Sequence, residues 1–216
     1  IEGKSDVEIT KRVLEIIDLI IFRDVLRLQK RISSSYELDP DDAERVFSIL
    51  AYRSPSLATI NSIARDSSVH WGKVDLALKL FNTSGIIGFA KNYAKDPSII
   101  ARKRLMKVFT SDISFRNSVR LRLGQALISD EELGAILENL ALSQALKIAH
   151  LSGDPNPKIY FWRFKNMEMD IVVPSQLGVL GVEVKKGRKR ERLWRAFQQY
   201  ESKARRLKIS LEEEDN

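Results

Sequence analysis

Apolar residues recur at three- and four-residue steps through Ile9, Val13, Ile16, Ile17, Ile20 and Ile21. That spacing predicts one long amphipathic helix over residues 6–32. Ser33-Ser34-Ser35 interrupts it, and Asp39-Pro40-Asp41-Asp42 predicts a turn leading into a helix cap. Ala43, Val46, Phe47, Leu50 and Ala51 share one face of a helix over 43–53, which Pro55 ends. A second, shorter helix is expected over 57–65 and a tight turn at Ser67-Ser68. A third helix over 70–81 turns Val74, Ala77, Leu78 and Phe81 inward. The period then changes, and strands are expected over 86–90 and 98–101, joined by a polar loop with Lys91, Lys95 and Pro97.

Helix, helix, turn, helix, hairpin is the order of a winged helix-turn-helix, although such elements can pack in other ways. Beyond it a short strand over 106–110 and a basic helix after Asp112 are expected. Ser129 and Glu132 form a capping box that opens a helix running to residue 151, where Ser152-Gly153-Asp154-Pro155 stops it. Three strands follow, over 158–164, 168–173 and 179–185, with turns at Lys165-Asn166 and at 174–178. A basic helix over 188–207 and a short strand over 208–211 complete the pattern, and the acidic end, 212–216, is expected to fray. The expected fold class is α+β, divided into an N-terminal helical segment (1–38), a winged helix-turn-helix (39–104) and an αβββα(β) domain (105–216).

Charge sharpens this picture. The chain of 216 residues is 44% apolar and 30% charged, with a net charge of +7, so it can bury a core. No stretch approaches the roughly 18 uncharged apolar residues of a membrane span. No cysteine is present, which fits a reducing cytoplasm, and the N-terminus lacks the order of a signal peptide. Between Lys185 and Lys208 stand eleven Lys and Arg against Glu191 and Glu201. Residues 102–122 hold seven basic residues against Asp112 alone. Concentrated basic stretches on a nearly neutral background point to a polyanion, because neutralised phosphates release counterions. A solvated basic helix face is the plainer alternative.

In Val182-Glu183-Val184-Lys185, strand alternation puts Glu183 and Lys185 on one face. Asp170 lies in the preceding strand, and pairing across the turn is expected to bring it near Glu183. Facing carboxylates repel unless a cation accepts their oxygens. The expected cofactor is therefore Mg²⁺ or Mn²⁺ held by Asp170 and Glu183, with Lys185 directed at a phosphate or an attacking water. The Glu-Val-Lys triplet alone is common, and a charged strand face is often only a solvated edge. In the winged helix, His70, Trp71 and Lys73 start the expected recognition helix, and Lys91, Arg102, Lys103 and Arg104 are expected to meet phosphates. Lys186, Arg188, Lys189, Arg190 and Arg192 extend that expected nucleic-acid surface. Many winged helices dock proteins instead.

The helix from Ala135, the three strands, Asp170, Glu183-Val184-Lys185 thirteen residues later and a following helix resemble the PD-(D/E)XK nuclease superfamily, similar in layout to archaeal Holliday-junction resolvases. The resemblance implies an acidic residue of the first helix at the metal site. Glu138 in Leu137-Glu138-Asn139 matches it, and Gln198 or Gln199 matches a polar residue of the following helix. With the segment from Ile17 to Val25, including Phe22-Arg23-Asp24, nearly the whole chain resembles the C-terminal half of archaeal AAA-type ATPases of unknown function. Gly3-Lys4-Ser5 only echoes the end of a phosphate-binding loop, so no nucleotide is expected to bind this chain. The implied function is binding of duplex or branched DNA with metal-dependent phosphodiester cleavage. The alternative is a non-catalytic nucleic-acid- or protein-binding module of a larger ATPase that retains the nuclease scaffold. Oligomeric state is not legible.

Overall fold

The computed structural model describes residues 6–32, 34–102, 104–125, 130–151, 158–175, 178–186 and 191–211. Gly3-Lys4-Ser5, Lys103, Arg188, Lys189 and Arg190 lie outside them. The chain is α+β and divides into two compact units, each assembled from two stretches: Ile1–Gly88 with Val108–Ser129, and Phe89–Lys107 with Asp130–Asn216. Among the described residues no helix is long and apolar enough to cross a membrane.

The first unit opens with α1 (Asp6–Leu19), which passes through a π-helical stretch (Ile20–Val25) into α2 (Leu26–Gln29). The expected long helix is therefore unbroken from Asp6 to Gln29 but changes winding on the way. Steps of four drift off an α-helical face, and the wider π turns keep Ile17, Ile21 and Val25 all buried. Next come α3 (Pro40–Tyr52), β1 (Ser56–Ala58), α4 (Ile60–Ser67) and α5 (Trp71–Thr83). Asp39 caps α3 by accepting from the Asp42 N–H at 2.9 Å, with Pro40 at the first helical position. The helix expected over 57–65 starts only at Ile60. Thr59 and Ser62 close a capping box there, which leaves 56–58 free to form a strand. Phe47 packs edge-on against Phe81 and Phe115, with ring centroids 5.8 and 6.5 Å away.

The chain enters the second unit along β2 (Ile87–Asn92) and returns along β3 (Met106–Thr110), which leads to α7 (Ile113–Arg122). Between them the strand expected over 98–101 is instead a helix, α6 (Pro97–Arg102). Ile99 and Ile100 suggested a strand, but Asp96 Oδ1 accepts from the Ser98 N–H at 2.8 Å and starts a helical turn. In the first unit β3 lies between β1 and β2. The α7 arginines are spent on α3 and the turn after it: Arg116 Nε donates to the Ser54 carbonyl at 2.8 Å, and Arg122 donates to Ser48 Oγ and pairs with Glu44. Burial, then the neighbouring Arg120 charge, pull Arg116 down to about 10.

The second unit continues with α8 (Asp130–Leu151), β4 (Tyr160–Phe164), β5 (Met167–Ser175), β6 (Gly178–Lys186), α9 (Glu191–Tyr200) and β7 (Ala204–Leu211). The last helix is shorter than expected and the last strand longer. Pairing of 204–211 with β6 overrides the helical pattern of the basic stretch. Strands run in the order β2-β4-β5-β6-β7, with β2–β4 and β6–β7 parallel and the two inner pairs antiparallel. Tyr93, Trp162, Met169, Val172, Leu193 and Phe197 form an apolar cluster beneath α9.

Candidate functional site

Asp170 owes its position to a defect in β5. Tyr160 pairs with Val172 but Trp162 pairs with Met169, so β5 carries one residue more than β4 opposite it. Met169 and Val172 consequently share the apolar cluster, and the bulge between them turns Asp170 away from it. Asp170 Oδ2 accepts from the Val184 N–H at 2.8 Å, and its Oδ1 lies 3.8 Å from Lys107 Nζ. Glu168, two residues earlier on β5, forms an ion pair with the same ammonium at 2.6 Å, and Glu138 of α8 accepts a hydrogen bond from it at 2.5 Å. One oxygen from each of Glu138, Glu168 and Asp170 lies within 4.8 Å of the others. Lys107, on β3, is only 3% exposed, and its Nζ also sits 5.6 Å from the centre of the Phe161 ring.

The electrostatics follow from this crowding. Burial works against the charge of Lys107, but Glu138, Asp170 and Glu168 outweigh it and raise its pKa above the ordinary lysine value. Burial first, and then the Glu138 charge, push Asp170 up to about 6, against the pull of Lys107, the Val184 N–H and Lys185.

Residues 133–215 match the family described as domain of unknown function DUF4143. It is a domain often found at the C-terminus of AAA-type ATPases. No curated protein and no solved structure matches the chain. The three carboxylates lie inside the DUF4143 segment, and Lys107 lies outside it.

Within that segment the expected metal ligands divide. Asp170 and Glu138 come together, joined by Glu168, which is not among the expected ligands. Glu183 is not in this group. It shares alternation with Gly181, where an added Cβ would lie 2.8 Å from Phe197 of α9, and its Oε2 accepts from Arg206 at 3.0 Å. Glu183 is 1% exposed, and its Oε1 has no hydrogen-bond partner among the described residues. Lys185 is half-buried, while Gln198 and Gln199 are exposed. Three carboxylates suit a hard divalent cation by donor type. An ammonium, however, already hydrogen-bonds Glu138 and pairs with Glu168, so the centre does not fit the ion without displacing Lys107.

The expected nucleic-acid contacts are also redistributed. Lys73 donates to Asp39 at 2.8 Å and to Asp42 at 2.5 Å, so its charge is used inside the first unit. His70 caps α5, its Nδ1 accepting from the Gly72 N–H at 3.1 Å, and Trp71 beside it is exposed. Lys91 and Arg104 are exposed. Arg102 falls in α6, Lys186 in β6 and Arg192 in α9, with their side chains outside the described residues.

Two signals in the sequence pointed to what was missed. A lone lysine inside the apolar strand Met106-Lys107-Val108-Phe109 needs a buried counter-charge, and Glu168 at two residues from Asp170 shares its strand face.

Proposed function

We propose that this chain is the C-terminal part of an AAA-type ATPase, with a winged helix-turn-helix and a PD-(D/E)XK-like scaffold that binds nucleic acid without cutting it. The order α3-β1-α4-α5-β2-α6-β3, a three-helix set followed by two strands with a short helix between them, supports the winged helix, and α8-β4-β5-β6-α9-β7 supports the nuclease-like scaffold. The observation that carries the non-catalytic reading is Lys107, which supplies among Glu138, Glu168 and Asp170 the positive charge that a metal ion would bring. The DUF4143 match supports the link to an ATPase. The basic stretch from Lys185 to Lys208 supplies the charge for phosphates.

A metal-dependent endonuclease is the second reading. It is favoured by the buried Glu183 Oε1, which lacks a hydrogen-bond partner, and by an Asp170 carboxyl that burial leaves poorly compensated. The test incubates the chain with duplex, branched and single-stranded DNA, with and without Mg²⁺ or Mn²⁺. Salt-sensitive binding without cleavage is expected. Metal-dependent cleavage that Asp170→Asn abolishes would establish the endonuclease instead.

A further inference from the structure

Strand β7 ends the strand order, paired with β6 along one side and with no strand on the other among the described residues. An open edge is a template for another strand, and proteins commonly blunt it with lysine and arginine. β7 carries Arg205, Arg206 and Lys208, with Lys203 just before it, and on those alone a second copy would be repelled. Two features of the same segment reverse that expectation. Leu207 stands 47% exposed in the middle of the edge. Glu212-Glu213-Glu214-Asp215 follows in the sequence, outside the described residues, so four basic residues precede Ile209 and four acidic ones follow Leu211.

That order of charge complements itself when two copies run antiparallel. Arg206 lies opposite Gly181 in register and bonds Glu183 on the α9 side, so alternation turns Arg205, Leu207 and Ile209 to the other face. A two-fold axis perpendicular to the sheet keeps each face on its own side, so odd positions meet odd ones and even meet even. An axis through Ile209 sets Leu207 opposite Leu211 of the second copy, Arg205 opposite its Glu213, Arg206 opposite its Glu212 and Lys203 opposite its Asp215. No like charges face each other. An axis through Lys208 sets that lysine against its own copy, and one through Ser210 sets Leu207 against Glu213.

We propose that β7 pairs antiparallel with β7 of a second copy of this chain, centred on Ile209, and joins the second-unit sheets of the two copies into one. Backbone hydrogen bonds hold the strands, Leu207 is covered, and the charges select the register. Lys203 and Arg205 then serve this interface, which leaves the basic residues from Lys185 to Arg195 for phosphates. The pairing draws nothing from the acidic centre, so the fate of the Lys107 reading leaves it untouched.

Sedimentation of the full chain over a range of concentrations, without nucleic acid, tests the proposal. Wild type is expected to pass from monomer to dimer as concentration rises. Lys203→Glu/Arg205→Glu and Glu213→Arg/Asp215→Lys each set like charges opposite one another, and each is expected to weaken the dimer at least about tenfold. Lys203 and Arg205 are both exposed, so the first variant keeps its fold. Mixed together, the two variants are expected to form a heterodimer, since each then presents the charge that the other lacks. A wild type that stays monomeric throughout would overturn the proposal, as would a dimer that both variants leave intact or one that forms only with DNA. Failure of the mixed variants to associate would overturn it equally.

Discussion

Lys73 and Lys107 do the same thing in two different solvents. Lys73 joins Asp39 and Asp42 at the surface of the first unit, with its side chain 30% exposed. Lys107 joins Glu138, Glu168 and Asp170 in the second unit, almost entirely out of water. Water reaches Lys73 and Asp39, and the buried Asp42 keeps Arg45 as a second partner, so little is lost when Lys73 is removed. Burial of Lys107 and Asp170 makes the second far more demanding, because either of these two left without its partners is stranded in a poor solvent, while Glu138 and Glu168 stay half-buried. A lysine is a surface brace in one place and a substitute for a metal ion in the other.

The sharpest way to break this contrast is to remove the two ammonium groups in turn. Lys107→Ala is expected to cost about 3–5 kcal/mol in urea unfolding without added metal, since it strands the buried Asp170 beside two half-buried glutamates. A loss of only a few tenths would mean that the centre is far wetter than its geometry indicates.

Asp170 gives the next largest effect. Its carboxyl is raised to about 6, above the ordinary value of 3.8, so the native state holds its proton more tightly than the unfolded chain does. Its contribution to stability is therefore complete below about 3.8 and is lost as pH rises through about 6. The difference amounts to roughly 3 kcal/mol at most. Relative to Asp170→Asn, wild type is expected to lose stability between these pH values. Parallel pH profiles for the two proteins would show that Asp170 ionises without strain.

How much of this was legible beforehand varied with the range of the interaction. Helix α3 announced itself through Ala43, Val46, Phe47 and Leu50 together with the Asp39 cap, all of it local information. The strands β4, β5 and β6 were legible for the same reason. The helical turn at Ile99-Ile100 was missed because β-branched residues favour strands, whereas the Asp96 cap acts on the backbone. The site was half legible. Asp170 and Glu138 are close, but the expected facing of Asp170 and Glu183 assumed unbroken alternation, and the bulge in β5 is not written in residue types. Lys107 comes from a strand far away in sequence, so only the tertiary fold brings it to the carboxylates.

Lys73→Ala is the smallest of the expected effects, at about 0–1 kcal/mol, and it should shrink further in molar salt. A cost approaching that of Lys107→Ala would erase the distinction between the two clusters.

The central claim, that Lys107 takes the place of a metal ion, is tested most directly by melting wild type and Lys107→Met across a Mg²⁺ titration. The account predicts that wild type is insensitive to the ion, while Lys107→Met is destabilised without it and regains stability as Mg²⁺ rises. A wild-type melting temperature that climbs with Mg²⁺ while Lys107→Met fails to respond would contradict it.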